Sequence, residues 1–179
     1  MIDFWRQADW LHRGLFVGLA VLSLFIRLLP LGGEPGGLPG PDLMLCLVLA
    51  WIVRRPDFLP MPLIMVVFLV EDLVLMRPPG LWTALVVIAT EFLRGRVILT
   101  RELSFAAEWG LIAGLMVTML LVYRLILGLA LVPEPPFGFA AAQILWSIGS
   151  YPLVVVASRL IIDLHKPGTG EVDERGRRL

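Results

Sequence analysis

The sequence predicts an all-α integral membrane protein: a six-helix transmembrane bundle that forms one domain, residues 1–164. The first observation is composition. Apolar residues make up 58% of the 179 residues and charged residues 17%, with a mean hydropathy of +0.86, against about 45–50% and about 25% in typical soluble domains. The second is that six apolar runs follow one another, separated by short polar segments. A soluble fold of this size would leave much of that apolar surface in water.

Four of the six runs approach the roughly 20 residues that a helix needs to cross the hydrocarbon core. The second and fourth runs have 13 residues each, a length at which a re-entrant or interfacial segment is the usual alternative. Arginines follow both short runs and can extend them by reaching towards the membrane surface. The expected spans are residues 14–31, 41–53, 58–76, 81–93, 108–132 and 137–162.

The positions of the basic residues predict that both termini lie in the cytoplasm. With six spans, 11 of the 15 basic residues fall on the cytoplasmic side, Arg77 alone falls outside, and three lie within spans. If the second and fourth runs were re-entrant, the split would be 10 inside and 2 outside, so the charges favour six spans. Residues 165–179 are polar and are expected to form a disordered cytoplasmic tail.

The composition argues against several classes of function. The formal net charge is zero and no basic stripe is present, which argues against nucleic-acid binding. Cys46 is the only cysteine, and His12 and His165 lie far apart outside the spans, so neither a disulfide framework, a zinc site nor a Cys/His catalytic set is expected. No phosphate-binding loop or dinucleotide fingerprint occurs. We therefore expect a non-enzymatic protein without cofactor or metal.

Charged residues within the spans are the most informative, because each costs about 2.5–3.5 kcal/mol at the middle of a membrane. Three arginines and three acids fall in the outer half of the predicted bundle. Two interpretations are open: an internal network of ion pairs that joins spans one, two, three and five, or a polar cavity open to the outside for a solute or a partner helix. The equal number of positive and negative charges favours the network. Its expected members are Arg27, Asp42, Glu71, Asp72, Arg77 and Arg124.

Small residues predict where helices can approach each other closely. Gly14 and Gly18 in span one, and Gly110 and Gly114 in span five, form G-x-x-x-G pairs, which permit close helix contact. On span five the glycines share a face with Arg124 at 100° per residue, so we expect them to face inward. On span one the pair lies nearly opposite Arg27, so we expect it to face outward towards a partner helix.

Short motifs lie at the ends of the spans. They are Pro41-Asp42 at the start of span two, Trp51 and Arg54-Arg55-Pro56 at its end, Glu71-Asp72-Leu73 ending span three, Met76-Arg77-Pro78-Pro79-Gly80-Leu81 leading into span four, the basic segment Arg94 to Arg101, and Tyr151-Pro152 in the last span. In these motifs the chain, from about Gly14 to Leu164, resembles the MreD family of bacterial rod shape-determining membrane proteins. Asp72 and Gly80 match the family pattern, which usually has a small residue where this chain has Glu71.

The resemblance implies a multi-pass subunit of the cell-wall elongation complex in the bacterial inner membrane, supporting cell shape and peptidoglycan synthesis. Besides membrane lipid, its implied partners are an MreC-like bitopic protein and, through it, RodA, a penicillin-binding transpeptidase and MreB. The family is also similar in fold to the substrate-binding S components of energy-coupling-factor transporters, which have six helices and a pocket near the outer surface.

The alternative is therefore a small-solute, vitamin-like uptake component with an outward-facing polar pocket. In a scaffold, the outer charges should be matched by the protein's own ion pairs or by a partner. A solute-binding protein should instead have a cavity of about 300–1,000 Å³ with convergent polar groups.

Overall fold

The computed structural model of the chain describes residues 2–29, 39–96, 103–133 and 136–162, with side chains from residue 10 onward in the first segment and up to residue 160 in the last. This part of the chain is all-helical, with six α-helices and no β-strand, as the sequence predicts. The helices are α1 (Ile2–Leu28), α2 (Leu43–Arg54), α3 (Met61–Val74), α4 (Leu81–Arg94), α5 (Phe105–Leu129) and α6 (Phe137–Ile162), with a 3₁₀ turn at Pro56–Phe58 between α2 and α3. The expected tail, residues 165–179, lies outside the described residues.

Three of the helices are long and apolar enough to cross a membrane, which supports the prediction of a membrane protein. The stretches that qualify are Trp10–Leu28 in α1, Phe105–Leu129 in α5 and Phe137–Leu160 in α6. The short runs two and four form α2 and α4, with 12 and 14 residues. The third run, expected to span residues 58–76, forms α3 with only 14 residues, because the 3₁₀ turn and Pro60 precede its start. At 1.5 Å per residue these helices are about 18 Å to about 21 Å long, shorter than a hydrocarbon core of about 30 Å.

Polar residues and glycine fix the helix starts. The Asp42 side chain accepts a hydrogen bond from the Leu45 amide at 3.0 Å, and so caps α2. The first amides of a helix have no partner within the helix, so such a cap stabilises its start. Gly80 precedes α4 with φ +87°, a backbone conformation that costs glycine little and other residues more.

Contacts between helix ends show that α1 and α2 run antiparallel. Arg27, near the end of α1, reaches Asp42 at the start of α2. The Phe16 ring, earlier on α1, packs 5.7 Å from the Trp51 ring near the end of α2. Equivalent pairings make α3 antiparallel to α4 and α5 antiparallel to α6. Arg27 also contacts Glu71 near the end of α3, so the turn that connects α3 to α4 lies at the same end of the bundle as Arg27.

α2 is the central helix of the bundle. Each of its residues from Met44 to Arg54 is buried, and it packs against α6, α4 and α1. Its neighbours, rather than surrounding solvent or lipid, therefore cover α2. By contrast, only 11% of the apolar stretch of α1 is buried, against 22% for each of α5 and α6. Much of the apolar surface of α1, including Val21 and Phe25, is left for lipid or another protein.

Candidate functional site

Arg27 joins three elements at one end of the bundle. Its Nη2 lies 2.9 Å from Asp42 Oδ1, and its Nη1 lies 2.6 Å from Glu71 Oε1. Arg77 approaches the same Glu71 oxygen more loosely, at 4.0 Å. Asp42 and Glu71 are buried, with 2% and 5% of their surface exposed. We call these four residues the Arg27 cluster. It ties α1, α2, α3 and the α3–α4 turn together, and each carboxylate faces a guanidinium.

Asp72 has a different role from the ion pair expected from the sequence. Its Oδ2 accepts hydrogen bonds from the amides of Gly80 and Thr83, both at 3.1 Å, and from the Thr83 hydroxyl at 2.8 Å. Asp72 follows Glu71 on α3 and so faces a different direction, towards the start of α4. Its charge therefore closes the α3–α4 turn and satisfies amides at the beginning of α4.

Arg124 lies on α5 and lines the same cavity as Asp42 and Arg77. Its guanidinium carbon is 5.3 Å from the centre of the Phe137 ring, at the start of α6. A cation over an aromatic ring is an attractive arrangement. This contact joins α5 to α6, and the expected membership of Arg124 in the ion-pair network stays a prediction.

A cavity of about 470 Å³ lies beside the Arg27 cluster, between the start of α2, the α3–α4 turn, the second half of α5 and the first turns of α6. Its walls are largely apolar and include Trp82 and Tyr123, whose rings meet edge to face at 5.4 Å. The polar side chains at its lining include Asp42, Arg77, Arg124 and Gln143. The volume falls in the range of small-molecule sites. Internally paired charges were expected of a scaffold, and a cavity of this size was expected of a solute-binding protein. The structure contains both.

A second group of buried polar side chains lies near the opposite end of α2. Arg54 is fully buried, and its Nη2 is 3.0 Å from Glu108 Oε1. The Tyr151 hydroxyl donates to the same oxygen at 2.8 Å, and Arg54 Nη1 donates to the Ala50 carbonyl at 3.0 Å. We call Arg54, Glu108 and Tyr151 the Arg54 triad. It joins α2, α5 and α6.

The Arg54 triad is not apparent from the sequence. The expected position of Arg54 at the membrane surface is wrong, because α2 is the central helix and its neighbours cover even its last turn. A buried arginine requires a compensating acid, and Glu108 supplies it from the first turn of α5. The one available signal was an acid at the start of a 25-residue apolar stretch. Nothing in the sequence indicates which arginine that acid meets.

Polar contacts also run along the interface between α2 and α6. The Ser147 hydroxyl accepts a hydrogen bond from the Asp42 amide at 2.7 Å, and the Ser147 carbonyl accepts one from the Cys46 thiol at 3.2 Å. Further along, the Trp51 indole donates to the Ser158 hydroxyl at 3.3 Å. Hydrogen bonds of this kind contribute about 0.6 kcal/mol each between membrane helices. They fix the register of α2 against α6.

The glycine pairs do not mediate helix contacts within the described part of the chain. A Cβ atom built at Gly14, Gly18, Gly110 or Gly114 meets no heavy atom within 4 Å beyond its own local backbone. Gly14 and Gly18 are both exposed, and their contact with a partner helix stays a prediction.

The expected inward packing of Gly110 and Gly114 is wrong. They line an apolar groove of about 640 Å³ between α4 and α5. Instead, larger α5 side chains such as Ile112 and Met116 are buried in the core, and they leave the glycine face uncovered.

Among the described residues, no group of three or more His, Cys, Asp or Glu side chains is placed to hold a metal ion. No family model, curated protein or solved structure matches the chain.

Proposed function

We propose that this protein is a non-enzymatic inner-membrane subunit of the bacterial cell-wall elongation complex. In this role it binds an MreC-like bitopic protein through contacts within the membrane. Through that partner it links to RodA, a penicillin-binding transpeptidase and MreB. The proposal combines the resemblance to the MreD family with the arrangement of charges at one end of the bundle.

The observation that carries the proposal is the internal pairing of the Arg27 cluster. Arg27 lies within 3 Å of both Asp42 and Glu71, so these buried charges hold the protein's own helices together. An anion-binding site would favour an arginine left uncompensated. Charges that pair within the protein and hold its helices together fit a subunit that acts by binding other proteins through its surface.

The motif residues behind the resemblance support a structural role as well. Asp42 caps α2, and Asp72 accepts three hydrogen bonds at the start of α4. Gly80 supplies the positive φ that the α3–α4 turn requires. The matching positions thus act on helix starts, which favours a shared fold over shared catalysis.

Six membrane crossings with both termini in the cytoplasm belong to the same proposal, together with a fold similar to the S components. The antiparallel pairs α1–α2, α3–α4 and α5–α6 support it, as does the asymmetry of the basic residues. The short α2 and α4 are compatible with crossing because other helices pack around them. Neighbouring protein can satisfy polar groups at depths where lipid cannot.

Co-purification after mild solubilisation tests this function. The tagged full-length protein is expressed together with the MreC-like protein of its own bacterium, and the eluate is analysed for that protein and for a transporter ATPase module. We expect the MreC-like protein to be retained. Retention of an ATPase module without it would contradict the proposal and favour solute uptake.

A vitamin-like uptake component is the second candidate, and the cavity of about 470 Å³ favours it. Solute binding would raise the unfolding temperature of the purified protein by mass action. Ala140→Phe narrows this cavity, whereas Ala157→Phe places the same side chain on an exposed part of α6 away from its lining. A solute that stabilises wild type and Ala157→Phe but not Ala140→Phe would establish this candidate.

A further inference from the structure

An apolar groove of about 230 Å³ separates α1 from α3. Its sides include Val17, Val21 and Leu24 on α1, and Val66 and Val70 on α3. Several of these side chains are well exposed, Val21 and Val66 each by 60%. Arg27 and Glu71 also line the groove and mark one end of it. The groove is therefore apolar along its length and charged at one end.

Glu71 has an unused hydrogen-bonding oxygen at this charged end. Its Oε1 faces Arg27, but its buried Oε2 has no hydrogen-bond partner. The hydrocarbon region contains no water to supply a donor. A lipid chain can fill an apolar groove, but it brings no donor either. A polypeptide with a hydroxyl or carboxamide side chain can fill the groove and also donate to the carboxylate.

We propose that the α1–α3 groove binds a single transmembrane helix of a partner protein. That helix carries a Ser, Thr, Asn or Gln side chain at the depth of Glu71 and places apolar side chains between Val21 and Val66. The inference rests on the proposed function, which requires a partner that binds within the membrane, and adds the surface and its chemistry.

The low burial of α1 favours the α1–α3 groove over the other exposed helix faces as the docking surface. α1 is the least buried of the three long helices, so a helix in the groove would add neighbours where the bundle has fewest. Gly14 is exposed and lies about 20° from Val21 around the axis of α1. A partner helix at this edge of the groove can therefore approach the α1 backbone closely.

Two synthetic helices provide a defined probe. Each is a leucine-rich transmembrane peptide of about 20 residues. At one position near one end, the first peptide carries Asn and the second carries Leu. Labelled peptide is titrated against the full-length labelled protein in phosphatidylcholine vesicles, and binding is followed by energy transfer. We expect the Asn peptide to bind about three-fold to about eighteen-fold more tightly, as interhelical hydrogen bonds in membranes do. Equal binding of the two peptides would overturn the role of Glu71.

Val66→Trp fills the groove without touching the ion pairs and should abolish binding of both peptides. Val156→Trp, a matched change at an exposed valine on α6, should leave binding intact. Unchanged binding to Val66→Trp would overturn the groove as the docking surface.

The same two variants are then co-purified with the MreC-like protein. If wild type and Val66→Trp retain it equally, the groove is wrong and the proposed function stands. If wild type does not retain it, the proposed function fails, and the peptide titration still decides the groove.

Discussion

Replacing Glu108 with alanine is expected to destabilise the folded protein by about 3–5 kcal/mol, because it leaves Arg54 as an uncompensated buried charge. Arg54 has no exposed surface, and its Nη2 lies 3.0 Å from Glu108 Oε1. The Ala50 carbonyl also accepts from Arg54, but a neutral oxygen does not balance the charge. The penalty therefore arises from burial of the charge, and it should exceed the loss of one hydrogen bond.

Three companion variants separate the charge from other causes. Tyr151→Phe removes one hydrogen bond to a charged group and should cost about 1.5–3 kcal/mol. Arg54→Met combined with Glu108→Leu and Tyr151→Phe removes both charges and the hydroxyl that donates to Glu108, and should recover most of the stability, since apolar replacements of buried pairs are often neutral. Glu91→Ala breaks the part-exposed pair with Arg94 and should cost less than about 1 kcal/mol.

Each variant is purified in the same detergent, and its unfolding free energy is measured by denaturant titration, with folded yield from membranes as a second readout. Two results would refute the reasoning. A Glu108→Ala variant that unfolds within about 1 kcal/mol of Glu91→Ala would show that Arg54 is not desolvated. A triple variant as unstable as Glu108→Ala would show that the loss does not come from an unbalanced charge.

Three further outcomes follow from the structure. Asp72→Ala should lower stability by about 1–3 kcal/mol in thermal unfolding, because amides at the start of α4 lose their acceptor. Asp72→Asn keeps one oxygen and should lose less stability. Equal losses in the two variants would argue against a capping role for Asp72 at the start of α4. Gly110→Leu combined with Gly114→Leu should leave membrane abundance on immunoblots unchanged, because their Cβ positions meet open space. A large loss of abundance would show that a helix packs against this face of α5. Reporter fusions should read external at Pro79 and internal at Asp57, and an external reading at Asp57 would contradict six crossings.

The ion pairs of the Arg27 cluster could be predicted in outline because they depend on depth in the membrane. In an up-and-down arrangement, the end of one helix lies beside the start of the next. Opposite charges at equal depth therefore meet, as Arg27 meets Asp42 and Glu71. Glu91 and Arg94 are three residues apart on α4, a spacing that places two side chains next to each other on a helix, and they lie 3.1 Å apart.

The Arg54 triad and the glycine faces could not be predicted, because both depend on which helix is central. In a membrane protein, lipid-facing and helix-facing positions are both apolar, so hydrophobic pattern does not separate them. Arg54 follows an apolar run just as Arg94 does, yet Arg54 is fully buried and Arg94 is partly exposed. Similarly, the spacing of Gly110 and Gly114 identifies a common stripe but not whether that stripe meets a helix or a groove.

The two charge groups together explain how a short central helix keeps its depth. Near its start, Asp42 is bound to Arg27 on α1, and at its end Arg54 is bound to Glu108 on α5. Helices in a membrane gain little from apolar burial against one another, so apolar packing alone would allow α2 to slide along its neighbours. A slide relative to α1 or α5 would break the ion pair to that helix, leaving charge unbalanced at a depth where that is costly. The embedded charges therefore set the register of α2 against α1 and α5, as the hydrogen bonds set it against α6.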